Sequence, residues 1–593
     1  MDNKFWRRYE KGKEYLDLKN LMGRSNTCWN FFVGKQWEGI EADGEELPMF
    51  NFIHPNVMRK VTTIYQNRMS VNYSDMEGRS GLEPVYEKLT QLFSAKWEKA
   101  NEDVLCRRIL KHGCITGDGI QYFPTENVED VQILNNTDVL YGDESEPNIQ
   151  KQPYIIIQER RSVEEVKEMA RKNGIPEEEV ALIVPDRDTE YTLGNIEEVE
   201  NEDSSDTMKA TMITHFEKKK MPVTEAREGS NGEMFIIQIG EVDVVHVAKC
   251  TKTAMVMEER PIQGEPSMID RANGRQGRGL RLYPLVKFSW EEFPNDARGV
   301  SQVEQLIPNQ LLINKTLARR SMTTKNTAYP RMAYDETMVT NPDDLMLVGM
   351  PIAVASGGAQ SVNQAVSYLN PAQSNDEPKK LTDDLLEITQ ELSGSGDTTM
   401  GNIDLQRVAA SAIVAVNDQA QSMHDEVVAN YKMYIEDLSN VWVDGWQTYH
   451  PNGMLVIMKQ EVEVPVMQTN PLTGEQVPVI DPITGRPQTE IQEIEVPKQI
   501  TAEELDQIKP RTKIDVTKDT AFISEARQQE NDKLLEMGQI MFDEWVEVSE
   551  PSTIPKGDYE KIVEKRKRNQ QQMIQQQMLQ QQQMQQMAQQ PPQ

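Results

Sequence analysis

DARGVSQVEQLIPNQLLINKTLARRSMTTKN, residues Asp296–Asn326, is the stretch on which the reading of this chain turns. It is rich in helix formers, and Pro308 interrupts them where a proline opens a second helix at its first position. At about 100° per residue, Leu311, Ala318 and Met322 share one side, while Ile313 and Leu317 lie roughly opposite. A helix apolar on two sides needs neighbours on two sides. Either the core of a large domain or contact between subunits meets that need.

A second run, Asn402–Tyr449, keeps the same rhythm for longer. Leu405, Val408, Ala412, Val416, Ala420, Met423, Val427, Tyr431, Tyr434, Leu438 and Trp442 recur every three or four residues. A helix of that span is about 65–70 Å long, more than an ordinary globular helix needs. His424 lies near the stripe with no second histidine four residues away, so it makes a poor metal ligand.

The 593 residues, 38% apolar and 27% charged, exceed what one core organises and predict two or more domains of mixed α+β class. No run of about 18 apolar residues suggests a membrane span, and the first twenty residues lack a signal-peptide core. Cys28, Cys106, Cys114 and Cys250 show no paired spacing, which fits buried thiols and a reducing, cytoplasmic folding environment. The charge is more decisive. With 95 acidic against 63 basic residues and a net −32, the chain is ill suited to gripping nucleic acid, where affinity comes from neutralising phosphates. Such acidity either keeps the protein soluble or lets a wall confine DNA without holding it.

From the N-terminus, residues 1–130 read as helices with an aromatic cluster of Trp29, Phe31, Phe32 and Trp37. Residues 131–290 turn to strands: YIIIQER, TMITHFEK, MFIIQIG, EVDVVHVAKC and TAMVMEER, separated by acidic turns. The segment RANGRQGRG (Arg271–Gly279) is glycine-rich and basic but lacks the order of a phosphate-binding loop; it reads as a mobile surface loop or a contact for DNA or a partner. Residues 326–375 are mixed, and Leu381, Leu385, Ile388 and Leu392 mark a further helix. SGSGDTTMGNID (Ser393–Asp404) is a flexible connection. Residues 453–520 return to strands around the turns NPLTGEQ and DPITGRP. The Gln/Met-rich end reads as disordered in an isolated chain or as a weak helix that bundles with its copies.

Nothing here spells catalysis. The six histidines are scattered, and H-E-x-x-H, G-x-S-x-G and Walker-type patterns are missing. Acidic pairs such as Asp383/Asp384 and Asp186/Asp188 are the only support for a metal-dependent nuclease. No catalytic, cofactor-binding or metal-binding residue is expected.

The chain resembles the portal proteins of tailed double-stranded DNA phages, especially short-tailed ones. Three islands in order carry the resemblance: CWNFFVGKQWEG with ELPMFNFIHPNVMRKVTTIYQN, then LYPLVKFSWEEFPNDARGVSQVEQLIPNQLLINKTLARR (Leu282–Arg320), then DVTKDTAFISEARQQENDKLLEMGQI. The resemblance implies a ring of twelve subunits and a division into named parts. These are a wing over 1–290, a first stem helix over 291–325, a clip over 326–375 and a second stem helix over 376–393. A tunnel loop over 394–403, a long helix over 404–449, wing strands over 450–520 and a crown or barrel over 521–593 complete it.

It further implies that Asp397, Thr398, Thr399 and Met400 face the DNA path, and that Leu311, Ile313, Leu317, Ala318 and Met322 lie at the subunit interface. Lys565, Arg566, Lys567 and Arg568 either touch packaged DNA in the crown or form a solvated charge run. The expected partners are further copies of the chain, the terminase large subunit, the head-to-tail connector and tail proteins, and the major capsid and scaffolding proteins. DNA would pass through without sequence-specific contact, and no membrane is involved. The expected location is the portal vertex of the virion, after assembly in the host cytoplasm. Another ring-forming virion protein is the structural alternative.

Overall fold

The computed structural model describes residues 4–37, 47–75, 82–125, 130–186, 208–228, 234–272, 276–328, 332–346, 351, 353–355, 365–368, 377–392, 424–465, 467–469, 476–478, 489–508, 510–518, 533–535 and 537. The chain divides into two compact units, residues 1–65 with 71–515 and residues 66–70 with 516–593.

The larger unit opens with helices α1 (Lys4–Leu18), α2 (Leu21–Val33) and α3 (Ile53–Tyr65). Strand β1 (Asn67–Asp75) leads to α4 (Glu83–Ala100) and α5 (Glu102–Thr116). Asn20 and Asn101 make the tight breaks between α1 and α2 and between α4 and α5, with φ of 48° and 52°. Asparagine tolerates that left-handed conformation better than other side chains. Helix α5 is the hub: Cys106, Ile109, Leu110, Cys114 and Ile115 have no accessible surface, and α2, α3, α4 and α9 all touch it.

Strands β2 (Asp118–Tyr122), β3 (Gln132–Leu134), β4 (Val139–Tyr141) and β5 (Tyr154–Ser162) follow, then α6 (Val163–Lys172) and α7 (Glu177–Val180). Next come β6 (Lys209–Glu228), β7 (Met234–Cys250), β8 (Met255–Pro261), α8 (Met268–Ala272) and β9 (Leu285–Ser289). They build an antiparallel five-stranded sheet, β4-β5-β6-β7-β8, and a three-stranded one, β3-β2-β9. In β5 the three consecutive isoleucines have a cause: Ile155 and Ile157 pack toward Phe216, Tyr283 and Leu285, while Ile156 faces the α1 residues Trp6, Tyr9 and Leu16. A strand covered on both faces reads as an unbroken apolar run. MFIIQIG and EVDVVHVAKC are not two strands but one. The register of β7 against β6 shifts between Val223 and Thr224, skipping Ile239, so a bulge absorbs the break expected at Gly240.

Helix α9 (Gln302–Ala328) runs through Pro308 without a second start, which corrects the expected interruption. A proline there removes the bond to the Glu304 carbonyl, a loss of about 3 kcal/mol or more. Burial of Val303 and Leu306 before it and of Gln310, Ile313 and Asn314 after it holds both halves to the body. Beyond α9 lie β10 (Met332–Tyr334) paired antiparallel with β11 (Val366–Tyr368), then α10 (Glu377–Leu392), which contacts α9.

Helix α11 (Asp425–Tyr449) is the described part of the long run expected from 402. Residues 401–423 lie outside the described residues, and with them the rest of that stripe. Val427, Tyr431, Tyr434, Leu438 and Trp442 are buried. A long hairpin follows, β12 (Met454–Pro465) against β15 (Thr489–Ile500), from Met454↔Ile500 to Pro465↔Thr489, with a small pair β13 (Met467–Thr469) and β14 (Gln476–Pro478). Helix α12 (Ala502–Gln507) carries a capping box between Thr501 and Glu504. Strand β16 (Pro510–Lys518) pairs with β1. In the smaller unit the described residues otherwise comprise one helical turn at 533–535 and Met537.

Asp444 on α11 ties the two halves of the larger unit's sequence together. Its buried carboxylate accepts from Arg278 Nη2 at 3.1 Å, from the Arg281 amide at 2.7 Å and from the Leu282 amide at 2.9 Å. The end of the glycine-rich segment expected to be a mobile loop is therefore anchored, although 273–275 lie outside the described residues. Asp444→Ala, which removes the carboxylate from beside Arg278 and the acceptor from two amides, is expected to lower unfolding free energy by about 3 kcal/mol. Urea titration followed by tryptophan fluorescence measures it; a loss below about 0.5 kcal/mol would show that the carboxylate does not anchor the segment.

Candidate interaction surface

The start of α9 is fixed by a knot of backbone and charge. Gly117, at φ 99°, lies against Gly299 so closely that a Cβ on Gly117 would stand 2.2 Å from the Gly299 carbonyl oxygen. Asp118 Oδ1 accepts from the Gly299 amide and from Ser289 Oγ, both at 2.9 Å. Next to it Arg298, 7% exposed, donates to Glu144 through Nε at 3.0 Å and Nη2 at 2.9 Å. It also donates to the carbonyls of Val139, at 2.9 Å, and Asn136, while its guanidinium lies 4.5 Å from the centre of the Tyr141 ring. Burial opposes the charge of Arg298, but Glu144 outweighs it and holds the guanidinium firmly protonated. Ser301 Oγ then donates to the Ile115 carbonyl at 2.6 Å and accepts from the Glu304 amide at 3.1 Å, capping α9.

Further along α9 the inner face is polar. Gln310 and Asn314, both without accessible surface, bond each other at 3.0 Å. Gln310 exchanges bonds with the backbone at Phe50 and Phe52, and Asn314 donates to Gln36 Oε1 at 2.6 Å. Among the residues expected at a subunit interface, Ile313 has no accessible surface and is filled against from within its own chain. Leu311, Leu317 and Ala318 are half-buried, and Met322 is 41% exposed. The sequence reading passed over Leu312, which is 42% exposed, and over the cap: Ser301-x-x-Glu304 has the spacing of a helix start and was there to be found. On α10, Leu381 and Ile388 are 45% and 50% exposed. Asp397, Thr398, Thr399, Met400, Lys565, Arg566, Lys567 and Arg568 lie outside the described residues.

The interior offers little to a reacting substrate. Among the described residues no group of three or more His, Cys, Asp or Glu side chains is placed to hold a metal ion. All four cysteines are buried and outside any disulfide, and burial pushes Cys28 up to about 11 and Cys114 up to about 12, so both stay thiols. Burial also lowers His112 and His424 to about 4 and His215 to about 3, which keeps them neutral near pH 7. The cavity of about 100 Å³ beside Arg24, Cys28, Asp296 and Glu304 holds a few waters at most. Nor, among the described residues, is any helix long and apolar enough to cross a membrane.

Comparison with known proteins gives one strong correspondence. The family model for phage P22-like portal proteins matches residues 14–593. No curated protein matches the chain.

One buried acid makes the packing of α5, β2 and α11 sensitive to pH. Glu102, with no accessible surface, accepts from Gln121 Nε2, and Gln121 Oε1 accepts from the Tyr434 hydroxyl. Burial raises its carboxyl from the usual 4.5 to about 7, against the lowering effect of the Gln121 bond. The folded state thus holds the proton more tightly than the unfolded one, so this stability is full below about pH 4.5 and is lost as pH rises through 7. Glu102→Gln is expected to melt close to the parent at pH 5 and to be more stable by about 2–3 kcal/mol at pH 8.5. Melting curves at both pH values that stay parallel would contradict the assignment.

Proposed function

The chain belongs to the P22-like phage portal protein family, and from that membership we propose that copies of it close into a ring through which the viral genome enters and leaves the capsid. The family match over residues 14–593 carries the proposal. A portal is a structural component of the virion, seated at the portal vertex of the capsid; the finer assignments are our reading. Twelve subunits enclose the channel. Helices α9 and α10 form the stem, and the mixed segment between them, with β10 and β11, is the clip. The terminase large subunit docks on the clip during packaging, and head-to-tail connector and tail proteins take its place afterwards. Major capsid and scaffolding proteins hold the wing, built from residues 1–290 and the strands of 450–520. Residues 521–593 form the crown, with Lys565, Arg566, Lys567 and Arg568 toward packaged DNA.

Physical features support this reading. Exposed Leu312, Met322, Leu381 and Ile388 sit on two adjoining helices, where a lone chain leaves apolar area in water. The net charge of −32 per copy suits a bore that repels the duplex within a Debye length of about 8 Å and lets it slide. No Walker-type loop occurs in the chain, so the ATP-driven motor is a separate protein. Asp397, Thr398, Thr399 and Met400 meet the passing DNA.

Electron microscopy of the purified chain is expected to show rings with a central hole; a population of monomers or solid particles would sink the proposal. Deleting Gly394–Thr399 is expected to leave those rings intact while DNA packaging or retention falls, and unchanged packaging would remove the loop from the DNA path.

A further inference from the structure

Helix α9 departs sharply from the charge of the protein around it. From Gln305 to Tyr334 the chain carries no Asp or Glu at all, but it does carry Lys315, Arg319, Arg320, Lys325 and Arg331. Lys315 and Arg319 are exposed one turn apart, on the side of the helix away from the buried row Leu306, Gln310, Ile313 and Asn314. Exposed Leu312 and Met322 flank them. Helix α10 is the converse. Asp383, Asp384 and Glu387 are exposed within about a third of a turn of the helical wheel, with Lys380 the one described cation among them, and exposed Leu381 and Ile388 adjoin.

The two helices touch within one chain, yet among the described residues Lys315, Arg319, Asp383, Asp384 and Glu387 take part in no ion pair. The α9 face therefore presents positive charge and the α10 face, three acids against Lys380, a net negative one, each beside bare apolar area. Phosphates alone would satisfy the cations but leave Leu312 and Met322 in water. A surface carrying acids next to aliphatic side chains satisfies both, and α10 is such a surface.

Building on the portal reading, we propose that the α9 face of one copy docks on the α10 face of a second copy. Lys315 and Arg319 meet Asp383, Asp384 and Glu387, and Leu312 and Met322 pack against Leu381 and Ile388. The two faces differ, so the contact is head-to-tail, the kind that closes into rings rather than pairs. The apolar contacts supply adhesion, while the charges set orientation and register and oppose face-to-face pairing of like helices.

The test is a charge swap read by sedimentation velocity and electron microscopy of the full chain. Lys315→Glu with Arg319→Glu, and separately Asp383→Lys with Glu387→Lys, are expected to raise the concentration for half-assembly by tenfold or more. The fourfold variant, with both faces reversed, is expected to recover rings near the parental concentration, and circular dichroism confirms that each variant is folded. Rings unaffected by either single-face reversal, or a fourfold variant no better than its components, would overturn the inference. So would a Lys315/Arg319 variant that assembles normally and loses only DNA retention, which would assign that face to the duplex. A parent chain that forms no rings defeats the portal reading itself, whereas rings with indifferent variants defeat this inference alone.

Discussion

Arg298 is the constraint from which the rest of the larger unit follows. An arginine this buried is tolerated only when every direction of its fork is answered, and here Glu144, two carbonyls and the Tyr141 face answer it. Its neighbour Gly299 is in turn held by Asp118 against Gly117. These contacts join the turn after α5, the loops around β4 and the segment after β9 at one point, and α9 begins three residues later. The direction in which α9 leaves the body is therefore set by polar geometry, not by apolar packing, which would fix it more loosely.

Beyond that point the molecule divides its labour. Helix α5, the two sheets and α11 form a body whose aromatic contacts, Phe288 with Tyr434 and Phe93 with Trp442, lie 6.1 Å and 5.0 Å between ring centres. Outward from it run elements that a single chain leaves half-covered, the far end of α9 and, on α10, Leu381, Asp383, Asp384, Glu387 and Ile388. This division suits a protein that acts by its surfaces. Burial keeps Cys28, Cys114, His112, His215 and His424 uncharged inside the body, whereas Arg298 holds its charge beside Glu144.

Much of the fold was legible because it rests on period. Strands β5 to β8 of the five-stranded sheet follow from runs rich in β-branched residues, and the buried stripe Val427–Trp442 from helical spacing. What escaped was set by single polar atoms. Nothing in the rhythm of Asp296–Asn326 says that Pro308 is carried inside one helix, because the bonds that hold its flanks come from Gln36, Phe50 and Phe52, more than 250 positions away. Ile313 shows the same limit from the other side. Periodicity marks a residue as apolar and facing a neighbour but cannot say whether that neighbour belongs to the same chain. The family was legible from three ordered islands, and the match along residues 14–593 agrees with them.

The row Gln36, Asn314 and Gln310 has a mechanical meaning. Aliphatic side chains let a helix slip or roll at small cost, since one contact replaces another, but an amide pair is satisfied in one rotational setting only. A slip of one residue would swing Leu311 toward the Phe50 carbonyl and carry Gln310 away from it. Helix α9 is thus clamped against rolling at its base by these buried amides, while farther along its outward face Lys315, Arg319 and Met322 are exposed. A sideways load at its tip reaches the base as a bending moment, and the amide row resists any roll about the helix axis.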